Sequence, residues 1–157
     1  MIQTGSIAWA PPNLSYAAFW ELIGGTGHDY GTVYFNFSPK GGDQLYAYVL
    51  YSYPNASVEV VDAKTGYWGS ANISMHGWNP QASAEWIDER QGGGTDLANY
   101  GKTSWSSMEV SRTNANAWTG AYSEPTQIKW NIVASQTDST TSGISSTNTM
   151  SNTWLHC

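Results

Sequence analysis

The chain has 157 residues, enough for one domain whose core needs no disulfide or metal to hold it together. Only 11% of residues are charged and 14% are aromatic, and twelve acids against six bases give a net charge of −6. That balance offers no basic footprint for nucleic acid, the abundant aromatics argue against disorder, and no apolar run reaches the roughly 20 residues of a membrane span.

Met1-Ile2-Gln3-Thr4-Gly5 has neither the basic region nor the apolar stretch of a signal peptide. The chain enters at once a strand expected over 2–10, stopped by Pro11-Pro12-Asn13. A second strand is expected over 17–23, closed by Gly24-Gly25-Thr26-Gly27, and a third over 32–38, where Val33, Phe35 and Phe37 alternate with Thr32, Tyr34 and Asn36. After the turn Pro39-Lys40-Gly41-Gly42-Asp43 comes the strongest strand pattern, 44–53. Strands over 57–62 and 67–75 flank the hairpin turn Ala63-Lys64-Thr65-Gly66. Further strands are expected over 83–90, 103–112, 127–134 and 148–156. Residues 135–149 are rich in Ser and Thr and read as a loop or a solvent-facing edge.

Helical periodicity is nearly absent. Period-2 patterning with turn signals every 8–12 residues or so predicts an all-β fold, an antiparallel β-sandwich or barrel, over 1–157 as a single domain. No metal and no cofactor are expected. His28, His76 and His156 are far apart, the single cysteine is Cys157, and no HxxxH or CxxC pair exists. Six bases also mean little self-repulsion once carboxylates protonate, so the surface suits an acidic, extracytoplasmic setting; the same composition equally fits a secreted β-protein working at neutral pH.

The acids are few, and one strand concentrates them: Glu85, Asp88 and Glu89 lie in Ala84-Glu85-Trp86-Ile87-Asp88-Glu89-Arg90. Alternation puts Glu85, Ile87 and Glu89 on one face. A solvated edge strand explains this pattern, and two chemistries also use it. Jelly-roll glucanases place paired acids on one strand as E-x-D-x-E, but here Ile87 occupies the middle position. Two Glu at i and i+4 on a strand lie roughly 13 Å apart at Cα, against the 5–5.5 Å or so that retaining enzymes need between carboxyl groups.

The second chemistry pairs one carboxylate with a neutral amide. The segment 84–90 resembles the A-E-[FW]-I-x-E stretch of the glutamic peptidases, or eqolisins. Gln3-Thr4-Gly5-Ser6-Ile7-Ala8-Trp9 resembles their Q-T-G-x-x-W motif, within a residue's slip at the Trp. Tyr16-Ala17-Ala18-Phe19-Trp20-Glu21 is similar to their Y-x-A-W-[YW]-E strand, and Gly41-Gly42-Asp43-Gln44-Leu45 to their G-D-x-I turn. The blocks keep the family's order over about residues 1–112; the tail matches only in β character.

The resemblance implies a lectin-like jelly roll and an acid endopeptidase acting on polypeptides. It implies catalytic roles for Gln3 and Glu89, and Trp9, Phe19, Trp20, Glu21 and Trp86 are expected to bind substrate. The chain departs from the family in three ways. A segment that family members carry before the catalytic Gln is missing, so the chain is expected to be N-terminally truncated or one chain of a processed pair. Ala17 stands where some members carry Asp, and the lack of disulfide cysteines fits the bacterial branch. A secreted monomer is expected. From another class, the same Trp- and Tyr-rich acidic sandwich fits a carbohydrate-binding module.

Overall fold

The computed structural model describes residues 1–9, 15–23, 30–52, 54–75, 101–110, 118–119, 139–142, 145 and 149–155. Every regular element among them is a strand, and every strand pairing is antiparallel. The chain divides into two compact units, Met1–Ser83 and Ala84–Cys157.

In the first unit, β1 (Ile2–Trp9), β2 (Ser15–Leu22) and β3 (Tyr30–Tyr34) form one sheet in the order β1-β2-β3. A second sheet, β4-β5-β6, contains β4 (Leu45–Ser52), β5 (Asn55–Asp62) and β6 (Trp68–Ser74). Strand β5 lies in the middle, and its pattern is the clearest in the chain. Ala56, Val58, Val60 and Asp62 are buried, while the residues between them are not. Alternation of this kind follows from the pleat, which sends successive side chains to opposite faces.

The two sheets meet through their apolar faces. Leu22 of β2 clusters with Ala56 and Val58 of β5, Ile73 of β6 and Met75, and Ile2, Trp20, Phe35, Tyr51 and Ala71 close around them. The core-facing set on the first sheet is therefore Ile2, Trp20 and Leu22. The other set, Gln3 on β1 with Phe19 and Glu21 on β2, points away from that cluster. Burial of the core set is what holds the second set in place, since the strand cannot rotate without moving both.

The β5–β6 hairpin is locked by its turn. Asp62 N donates to Tyr67 O at 2.8 Å and Gly66 N to Asp62 O at 2.8 Å. Gly66 has φ 73°, a conformation that glycine adopts without steric cost. The buried Asp62 carboxylate accepts from Lys64 N (2.9 Å), Thr65 N (3.3 Å) and Thr65 Oγ1 (2.8 Å). A short side chain closing its own turn in this way is the reason Asp is favoured there.

The second unit contains β7 (Lys102–Trp105), β8 (Glu109–Val110), β9 (Trp118–Thr119), β10 (Ser139–Thr141) and β11 (Met150–Trp154). The order in its larger sheet is β10-β11-β7, and β8 pairs with β9. Strand β10 falls inside the Ser/Thr-rich stretch and is the outermost strand of that sheet among the described residues.

Two expectations change. The single strand over 103–112 is two strands, because Ser107 takes φ 53° and breaks the extended run between them. The third strand starts at Tyr30 and ends at Tyr34 rather than spanning 32–38. Its face pattern still runs on: Phe35 N donates to Ala18 O at 2.9 Å, and Phe35 and Phe37 stack at 6.4 Å. The strands expected over 83–90 and 127–134 lie outside the described residues.

Candidate functional site

Antiparallel pairing sets Gln3 directly opposite Glu21. Both side chains are half-buried and lie on the sheet face turned away from the core cluster. Gln3 Nε2 donates to Glu21 Oε1. The second carboxylate oxygen, Glu21 Oε2, accepts from Thr32 Oγ1 at 3.1 Å. Three adjacent strands thus contribute one side chain each to a single line of hydrogen bonds. Beside it, Thr4 Oγ1 donates to Phe19 O at 2.6 Å, tying β1 to β2 once more.

Thr32 reaches Glu21 because of an irregularity in the β2–β3 ladder. Trp20 pairs with Val33 and Leu22 with Tyr30, so the register shifts between them. Two residues, Gly31 and Thr32, therefore stand opposite the one residue Glu21, which is the arrangement of a β-bulge.

Aromatics continue the same face. Phe19 pairs with Gly5 on one side and Tyr34 on the other. A Cβ on Gly5 would lie 3.9 Å from the Phe19 ring, so the ring leans over the glycine. Trp9 meets Tyr34 with ring centroids 5.8 Å apart and planes tilted by 55°. An amide, a carboxylate and a hydroxyl beside Phe19, Tyr34 and Trp9 make a polar centre with an apolar flank. Sites for extended ligands are commonly built this way.

Trp20 lies on the opposite face from Glu21. Neighbours on a strand cannot share a face, so with Glu21 on one side Trp20 turns to the other. There it packs against the core cluster and meets Tyr30 at 5.7 Å. Glu89 and Trp86 lie outside the described residues. Thr32, Gly31 and Tyr34 were not singled out from sequence. Thr32 and Tyr34 were legible as one face of their strand, but their neighbours were not.

Other chemistry in the first unit is self-contained. A cavity of about 460 Å³ is lined in part by Lys40, Asp43, Lys64 and Tyr67. Lys64 Nζ pairs with Asp43 Oδ1 at 3.0 Å, and Lys40 N donates to Asp43 Oδ2 at 2.7 Å. The hydrogen bond from Lys64, then that from the Lys40 backbone, holds the Asp43 carboxyl below the usual carboxylate range. The same pair raises Lys64. Asp43 is thus occupied in closing its turn, as its place in the sequence leads one to expect. No group of three or more His, Cys, Asp or Glu among the described residues is arranged to hold a metal ion. No helix among them is long and apolar enough to cross a membrane.

Comparison with known proteins points the same way. The model of the Peptidase A4 family matches residues 1–154. The fold is similar to the crystal structure of aspergilloglutamic peptidase from Aspergillus niger, with TM-score 0.78 and 20% identity, over 98% of this chain and 89% of that one. No curated protein sequence matches the chain. The fold is an antiparallel β-sandwich, as in that peptidase. The chain belongs to the Peptidase A4 family and is a hydrolase of peptide bonds.

Proposed function

We propose that this chain is an acid-acting endopeptidase in which Glu89 serves as general base and Gln3 stabilises the oxyanion. Glu89 takes a proton from a water molecule, and the water oxygen attacks the scissile carbonyl carbon. Negative charge develops on the carbonyl oxygen, where an N–H of Gln3 donates to it. Collapse of the tetrahedral species breaks the C–N bond, and Glu89 returns the proton to the leaving amine. A neutral amide partner avoids the repulsion of two adjacent carboxylates. The steps draw on no covalent enzyme intermediate.

The observation that carries this reading is the Gln3 amide, held at a defined place beside an aromatic face in a member of a peptidase family. Trp9, Phe19 and Trp86 are assigned the contacts to an extended polypeptide. The enzyme works as a monomer in an acidic, extracellular medium, in keeping with its six bases.

Digestion of a denatured protein between pH 2 and 8, with products identified by mass, tests the proposal. Internal peptides released fastest at acid pH are expected. Trimming from the ends alone, or no cleavage at any pH, would reject it.

A further inference from the structure

We infer that Glu21 is a positioning residue for Gln3, that Thr32 in turn orients Glu21, and that neither contacts the substrate. The inference rests on the proposed role of Gln3 as oxyanion donor. A free Gln amide rotates, and a half-turn exchanges its donor end for its acceptor end. A carboxylate only accepts, so it selects the nitrogen end of a facing amide. Gln3 Nε2 lies against Glu21 Oε1, and this fixes which end of the amide faces β2. One N–H is then committed to Glu21, and the second diverges from it in the amide plane. That second N–H is the donor left for a carbonyl oxygen.

A carboxylate that orients another group must itself be held. Thr32 Oγ1 donates to Glu21 Oε2 at 3.1 Å from the opposite flank. Both oxygens of Glu21 are therefore engaged within its own sheet, one by each neighbouring strand. The bulge is the backbone device that allows this. It sets both Gly31 and Thr32 opposite Glu21, and a Cβ on Gly31 would meet nothing within 4 Å. Thr32 thus reaches the carboxylate without competition from a second side chain. Bulges that re-aim one side chain occur beside active sites for this reason. The substrate contact expected of Glu21 from its place in the sequence gives way to this role.

The test uses the full chain, with Glu21→Ala, Glu21→Gln and Thr32→Val assayed on a peptide substrate. The side-chain NH₂ signals of Gln3 are followed in parallel by ¹⁵N–¹H NMR and assigned by their loss in Gln3→Ala. Glu21→Ala is expected to lower kcat by roughly 10–100-fold, with KM within about threefold of wild type. Glu21→Gln keeps an acceptor oxygen at the same reach and restores most of that loss. Thr32→Val gives a smaller fall in kcat. In Glu21→Ala the two Gln3 amide protons move toward the positions of a free amide.

A rise in KM at unchanged kcat would make Glu21 a substrate contact and overturn the inference. Gln3 signals identical in wild type and Glu21→Ala would overturn it as well. Should Glu21→Ala not fold, Thr32→Val decides: unchanged kcat together with unchanged Gln3 signals refutes the relay. A wild-type chain with no peptidase activity would refute the proposed function instead, and the amide signals would still judge the positioning on their own.

Discussion

Gly69→Ala is expected to destabilise the first unit, and the size of the effect follows from one contact. Gly69 lies on β6 opposite the fully buried Val60 of β5. A Cβ added there would stand 2.4 Å from Cδ1 and Cγ of Phe35 and 2.8 Å from its Cβ. Ordinary carbon contacts lie near 3.5–4.0 Å or so, and the ring would have to retreat by about 1 Å. The clashing atoms sit at the root of the side chain, so rotation at its tip does not relieve them. The backbone is also tethered, because Phe35 N donates to Ala18 O at 2.9 Å. Overpacking of this kind costs about 1–3 kcal/mol, and the smaller unfolded-state entropy of Ala returns about 0.4–1 kcal/mol. The net loss is about 1–2 kcal/mol, or roughly 2–8 °C in Tm for a chain of this size. Gly31→Ala is the control, since nothing lies within 4 Å of its added Cβ. It is expected to be neutral or to stabilise by up to about 1 kcal/mol. Urea unfolding followed by Trp fluorescence, at unchanged m, measures both. Equal midpoints for the two variants, or a Gly69→Ala protein as stable as wild type, would refute the packing of Phe35 against Gly69 of β6.

Two further outcomes are expected. Asp62→Ala removes the acceptor for two backbone N–H groups and the Thr65 hydroxyl at the β5–β6 turn, and should cost about 2 kcal/mol or more in chemical denaturation. Asp43→Asn tests the pH dependence of the Asp43–Lys64 pair. The folded Asp43 carboxyl is depressed, so its contribution is present above the ordinary value near 3.9 or so and is lost as pH falls through the folded value. Lys64 is raised, so its share is present below the ordinary lysine range and lost only as pH rises through its folded value. The stability gap between wild type and Asp43→Asn should therefore shrink from pH 5 to pH 2. It should be small throughout, because the Lys64 side chain is 70% exposed, and salt should reduce it further. Thermal melts at four pH values check this, and a gap that widens toward acid would contradict it.

Much of the first unit was legible because one face of each strand is buried. Alternation marked β5, β6 and their hairpin, and Asp62 and Gly66 did what turn chemistry requires of them. Strand limits were less legible where face alternation outlasts ladder pairing, as at Phe35 and Phe37. Nothing local announces the break at Ser107, because no Gly or Pro stands there. Among the site residues, alternation alone forbids Phe19 and Trp20 from sharing a face, and resemblance to a motif masked that. The Gln3–Glu21 pair needed the β1–β2 register, which the sequence of the two segments does not declare. Thr32 was the hardest, since its contact depends on a bulge that shifts the register by one residue.

The most direct test of the central claim is steady-state cleavage of a peptide at acid pH by wild type, Glu89→Gln and Gln3→Ala. Removal of the general base should cost roughly 10²–10⁴-fold in kcat, and removal of the oxyanion donor roughly 10²–10³-fold. A Glu89→Gln protein that is folded and cleaves at the wild-type rate would contradict the account.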